Sequence, residues 1–373
     1  VKRALLMPAV AALMVAAVSG PSATQVAAQP ERPQHIYITS VLTDEVVGVQ
    51  VSPTDAPRVV SRTPVPDGGT LKGIVSSPDG RFLYIGPFFD QGIAAYSINA
   101  DGTLDPLAGS PVASSGPVGT LAVAPDGRYL YASSTENARG VLTTFAIGAS
   151  GLPVKIATTQ LDLSSHFGTL AVAPDGRNLY VADGFGNQMM QLPIGADGVA
   201  GAPVQRIDAG GPPLTPIVTP DGKHLYVAHE LNATIGGFNI NPDGSLVKTP
   251  DTPVESGLAP HGVTLSPDGS RVYVPNGLSN HITGYQINAD GTLTPLPGSP
   301  YSTGADPISA PGQLFSSRDG KRMYAIGVLT LSTSFGARVL TFDVSADGAL
   351  HPSEPAVETG QIFPDGPASA ITP

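Results

Sequence analysis

The 373-residue chain contains no cysteine and no tryptophan. A disulfide framework, a thiolate metal site and a lipid-modified cysteine are therefore excluded. Charge is sparse, with Asp, Glu, Lys and Arg at 13% of residues, and the balance is acidic at a formal −11. No basic run follows residue 3, so the chain offers no electrostatic footprint for nucleic acid or an anionic membrane surface. A strongly anionic small substrate would need local basic residues to overcome that field. What the chain has in quantity is Gly (44) and Pro (38). That mixture suits many short strands joined by tight turns and disfavours long helices.

The first 28 residues differ from the rest. "VKR" gives a positive start, "ALLMPAVAALMVAAV" an apolar run and "SGPSATQVAA" a tail of small residues. This is the layout of a secretory signal peptide, with cleavage expected near Ala28 and a mature chain over 29–373. The apolar run is shorter than the ~18 residues a membrane span needs. The expectation is a secreted, extracytoplasmic protein, monomeric and without a span in its mature form.

Beyond that segment one phrase recurs. "SPDGRFLYIG" (77–86), "APDGRYLYAS" (124–133), "APDGRNLYVA" (173–182), "TPDGKHLYVA" (219–228), "SPDGSRVYVP" (266–275) and "SRDGKRMYAI" (317–326) each read as a tight turn entering an apolar strand. The strand tyrosines stand at 37, 84, 131, 180, 226, 273 and 324, so one repeat is 46–51 residues long. A second series, such as "AYSINADGTL" (95–104) and "GYQINADGTL" (284–293), shows alternation, a Gly-containing turn and a new strand, which is a hairpin signal. Its copy at 48–57, "GVQVSPTDAP", is degenerate.

One repeat is thus strand A, Pro-Asp-Gly turn, strand B, variable loop, strand C, Asp-Gly turn, strand D. Four strands per repeat of this length predict a propeller blade, and the fold class is an all-β seven-bladed β-propeller. The ends of the pattern are complementary. "HIYIT" (35–39) is a strand B lacking a strand A, and "ASAITP" (368–373) is a strand A that stops at its turn proline. The C-terminal strand is expected to join the N-terminal strands and close the ring, which removes an exposed edge. An open solenoid would leave that complementarity unexplained.

In this order both Gly turns share one end of the ring, and the B–C loops and D–A connections share the other. Turns that repeat unchanged look structural, whereas binding sites favour variable loops over a rigid scaffold. The position six residues before each A–B turn proline, or its equivalent, holds Lys72, Gly119, Gly168, Leu214, His261, Gly312 and Pro367. Nearby, strand B runs out at Asp183, His229, Glu230 and Asn276, and His166 and His281 fall at the same end. Glu230, His166 and His261 are the candidate catalytic residues, with Glu230 as general base. Lys72, Asp183, His229, Asn276, Arg139 and Arg338 are candidate ligand-binding residues. The alternative for each is a solvated loop residue or a structural hydrogen bond.

"HELNA" (229–233) begins like a helical zinc motif but lacks the second His and lies among strands. No nucleophile elbow or phosphate-binding Gly loop is present. No cofactor is expected, although His and Glu230 are ligand types that a divalent metal could use.

The phrase "SPDGRFLYIG … AAYSINADGTL" resembles the lactonase-type seven-bladed propellers, the family of bacterial 6-phosphogluconolactonase and fungal carboxymuconate-lactonizing enzyme. The resemblance extends over residues 34–373 and implies a channel-mouth site of one His, two Arg and one Glu. "HELNAT" places Glu230 at the Glu. The arginine positions are occupied by Leu214 and Gly277, and the histidine position by Gly168, with His166 two residues away. Arginines of that kind would anchor an anionic lactone. Their absence here, with the acidic charge, points to a neutral or weakly charged cyclic ester. Arg139 and Arg338 are the residues that could compensate. The competing reading is a binding or scaffold propeller that kept the fold and lost the chemistry.

Overall fold

Each Pro-Asp-Gly phrase folds as a turn whose aspartate caps its own backbone. In the third blade Gly127 N–H donates to the Ala124 carbonyl at 2.8 Å, and Asp126 accepts from Arg128 N–H at 2.9 Å. The chain then runs outward through strand B. The computed structural model describes residues 32–40, 43–65, 71–87, 92–137, 139–163, 168–304, 310–327, 336–361 and 369–373, and Pro33–Pro373 form one unit.

Seven antiparallel sheets result, each ordered D–C–B–A from rim to centre. The innermost strands are Ser369–Ile371, Leu71–Ser76, Val118–Val123, Thr169–Val172, Pro213–Val218, Thr264–Leu265 and Pro311–Ser316, for blades 1 to 7. Blades 5 and 6 split their outermost strand in two, as Leu246–Lys248 with Val254–Glu255 and Leu293–Pro295 with Tyr301–Ser302. Ring closure is as expected. Ser369–Ile371 pairs with Gln34–Ile38 in the register Ile36↔Ile371, Tyr37↔Ala370 and Ile38↔Ser369.

Apolar packing explains why the strands read as nearly continuous hydrophobic runs. Successive side chains of a strand point to opposite faces, and both faces of a blade meet a neighbour. Ile36 and Ile38 pack into the gap between blades 7 and 1, while Tyr37 between them packs toward blade 2. Seven buried clusters follow, one for each gap.

The repeated tyrosine has a second function that the sequence pattern did not disclose. Each is fully buried, and its hydroxyl reaches the C–D turn of the next blade. Tyr37 donates to the Gly102 carbonyl, Tyr84 to Gly151, Tyr131 to Gly198, Tyr180 to Gly244, Tyr226 to Gly291 and Tyr273 to Gly348, at 2.8–3.1 Å. Tyr324 completes the circuit at Ser52 O, 3.0 Å away, in the degenerate turn. There Arg322 also donates to the carbonyls of Ser52 and Asp55, at 3.2 and 2.8 Å. The turn glycines thus serve the ring as well as their own turns. Gly151 has φ +80°, and a Cβ there would lie 2.2 Å from the Phe82 ring of the preceding blade.

Around the channel, hydroxyl and amide groups link neighbouring innermost strands. Ser76 donates to Ile371 O at 2.7 Å, Thr120 to Gly168 O at 2.8 Å, and Thr264 to Leu314 O at 2.8 Å. Thr215 N–H donates to Thr169 Oγ1 at 3.0 Å, and Ser369 bonds Gln313.

Candidate functional site at the loop end

Three consecutive blades build the B–C loop the same way. Strand B ends at Asp183, His229 or Asn276, three residues after its tyrosine, and the loop closes through a left-handed residue, Asn187, Ala233 or Asn280, at φ 51–56°. The side chain that ends the strand ties the loop down. Asp183 accepts from Gly186 N–H at 3.3 Å and from Gln188 Nε2 at 3.0 Å. His229 Nδ1 lies 3.0 Å from Thr234 Oγ1. Asn276 accepts from Ser256 Oγ and Gly257 N–H at 2.8 and 2.9 Å, and donates to Thr283 at 2.8 Å. All three are fully buried. Asp183, His229 and Asn276, expected to line a ligand, point into the blade here and fix their own loops.

The next residue behaves differently. In blades 4 and 6 it is Gly184 or Gly277, set against the first residue of the following blade's inner strand. A Cβ on either would stand 3.5 Å from Pro213 O or 3.7 Å from Pro311 O. Blade 5 places Glu230 there, opening the short 3₁₀ turn Glu230–Asn232. Across the same gap stands His261, where the matching positions in blades 3, 4 and 7 hold Gly119, Gly168 and Gly312. His261 Nδ1 and Glu230 Oε1 are 3.2 Å apart. Their side chains are 18% and 32% exposed, so solvent reaches both while the pair holds its geometry.

Glu230 and His261 are thus the two expected catalytic residues that the fold brings together. His166 lies outside the described residues, as does the Lys72 side chain. Arg139 opens the third strand of its blade and is exposed. Arg338 is buried to 9% exposure, with its Nε 2.5 Å from Glu358 Oε1, so its charge is matched within blade 7. Among the described residues no group of three or more His, Asp or Glu is arranged to hold a metal ion. Also among them, no helix is long and apolar enough to cross a membrane.

His229 adjoins Glu230 in sequence but behaves as core. Burial lowers its pKa from 6.5 to about 4, and the Lys248 charge adds to the effect. The unfolded chain therefore takes up this proton first as pH falls. Stability from the neutral ring is complete above pH 6.5, declines through the window and is fully lost below about pH 4. The total is about 3 kcal/mol. Urea melts from pH 7 to 4 should show this acid limb, and His229→Gln should flatten it while lowering the neutral plateau. An unchanged limb in the variant would assign it to other groups.

Cavities appear at the end where the sequence offered only structural turns. A groove of about 710 Å³ runs between blades 3 and 4 past Arg128, Tyr129 and Arg177. Another cavity, of about 560 Å³, occupies the channel beside the inner strands of blades 5, 6, 7 and 1.

Comparison with known proteins supports the resemblance. Residues 217–306, which include both Glu230 and His261, match the profile of the family described as lactonase, 7-bladed beta-propeller. No curated protein matches the sequence. Among solved structures, a candidate 6-phosphogluconolactonase of Bacteroides uniformis superposes with a TM-score of 0.74 at 16% identity, covering 91% of this chain and 100% of its own. The periplasmic gluconolactonase of Pseudomonas aeruginosa gives 0.69 at 18% identity, covering 88% and 97%. A functionally unknown protein from Desulfotomaculum acetoxidans gives 0.71 at 15% identity, covering 91% and 98%. At these identities the structural likeness is one of fold.

Proposed function

From the likeness of this chain to the lactonase-type seven-bladed propellers, we propose that it binds a neutral or weakly charged cyclic ester at the loop end. The ester would be opened at the Glu230–His261 pair. One observation carries the reading: the two residues depart from the repeat on opposite sides of one blade gap, and their side chains meet at 3.2 Å. A carboxylate at Nδ1 favours the tautomer with its proton there, which leaves Nε2 as the basic nitrogen. His261 would take a proton from water as it adds to the lactone carbonyl. It would return that proton to the ring oxygen as the acyl C–O bond breaks, giving a hydroxy acid. Glu230 would orient the imidazole and balance its transient charge. The base is thus His261 rather than Glu230.

Neutrality of the substrate rests on the family's arginine positions, here Leu214 and Gly277, and on the ion pair that occupies Arg338. The test is a lactone-hydrolysis panel on the purified protein, with and without chelator, beside Glu230→Gln. Saturable lactone binding without turnover would favour a binding propeller. Absence of both would leave a scaffold.

We also propose export, on the basic, apolar and small-residue order of residues 2–28. N-terminal sequencing of material recovered outside the cytoplasm should begin near Gln29 or Pro30. Recovery of only uncleaved protein inside the cell would contradict it.

A further inference from the structure

The channel cavity has the size of a small-molecule site, about 560 Å³, within the usual range of roughly 300–1,000 Å³. Its wall combines two chemistries. Ile217, Val263, Leu265, Phe315 and Ile371 supply apolar surface. Polar atoms come from Thr215, Thr264 and Gln313, and from the inner edges of strands whose other edge is paired to strand B. Among the described residues, no Asp or Glu side chain lines it. Arg318, beside the turn end, is the one charged side chain among the described lining residues, and its guanidinium already bonds Pro373 O.

We infer that this cavity is a second binding site, separate from the Glu230–His261 pair, for a neutral and largely apolar small molecule carrying one or two hydrogen-bonding groups. A metal ion or polycation would find no Asp or Glu side chain among the described lining residues to neutralise it. A polyanion would meet one engaged arginine in a protein of net charge −11. The occupant also has a structural consequence. Gln34, Ile371, Thr372 and Pro373 line the same cavity, so a ligand there touches both partners of the closing strand pair and should stabilise that seam.

Gly262 gives a direct handle. A Cβ built on it meets only Thr215 Oγ1 at 3.5 Å and Gly312 O at 4.0 Å, both ordinary contacts, so a larger side chain fits and occupies the channel. The probe is N-phenyl-1-naphthylamine, which is uncharged and fluoresces strongly in apolar sites. Wild type should bind one equivalent saturably, Glu230→Gln should bind equally well, and Gly262→Leu should bind at least tenfold more weakly. Hydrogen exchange of wild type at probe saturation should slow at 213–218, 311–316 and 369–373, a readout that does not require the variant to fold. Non-saturable binding, equal binding by Gly262→Leu, or unchanged exchange in those strands would overturn the proposal. Loss of binding in Glu230→Gln would also overturn it, by locating the probe at the loop-end pair.

Discussion

Deletion of residues 369–373 should abolish cooperative folding of the whole ring. The deleted strand supplies the inner pairing of blade 1. It also supplies Thr372, which bonds His35 N–H through its hydroxyl at 2.8 Å, donates to His35 O at 2.9 Å and accepts from Gln34 at 3.0 Å. Ser76 and Arg318, on the flanking blades, lose their acceptors at Ile371 O and Pro373 O. Each bond is worth about 1 kcal/mol net, and an unsatisfied buried group costs more. Set against a total stability of about 5–15 kcal/mol, the sum is decisive. The loss cannot stay local, because strand Gln34–Ile38 packs its two faces into two different blade gaps. The expected observation is a broad, low-temperature melt, with a sharp transition restored by adding a peptide of residues 364–373. A truncated protein that melts like the intact one would refute the closed ring.

The largest expected effect on activity comes from Glu230→Gln. Glutamine keeps the size of the side chain and can still bond His261, but it removes the negative charge that favours the imidazolium. Lactone turnover should fall by roughly 10²-fold or more, in kcat and kcat/KM together. Stability should change by under about 1 kcal/mol, since the pair is partly exposed and its attraction is screened. His224→Gln is the contrast. His224 lies at the turn end, 2.7 Å from Asn239 Oδ1, so its loss should lower the melting temperature and leave turnover near wild type. Equal lactone hydrolysis by wild type and Glu230→Gln would remove the pair from the mechanism.

The architecture was legible because the repeat is written in residues that turns and strands require. Tyrosine spacing gave the blade count, and two incomplete end motifs gave the closure. The site was only partly legible. Asp183, His229 and Asn276 looked like mouth residues because they are polar and end a strand. Yet they share one register position, and a polar residue recurring there serves the loop it ends. Glu230 and His261 carry the opposite signal, since Glu230 replaces the glycine of both neighbouring copies and His261 stands where blades 3, 4 and 7 have glycine. Their meeting across a blade gap depends on ring packing, which no single repeat encodes. The channel cavity was illegible for a related reason, because its wall is made of strand edges contributed by four blades.

The tyrosine circuit also bears on how such a ring tolerates mutation. Every joint consists of one side chain and one main-chain carbonyl, and only the side chain can be substituted away. A change at a C–D turn can strain the loop, but it cannot delete the acceptor. The degenerate copy illustrates this, because it has Asp55 where the others have the turn glycine, and Tyr324 still finds a main-chain carbonyl there, Ser52 O at 3.0 Å. Half of each joint is thus exempt from mutation, and sequence drift can run through the turns and outer strands while the tyrosines keep the blades in step.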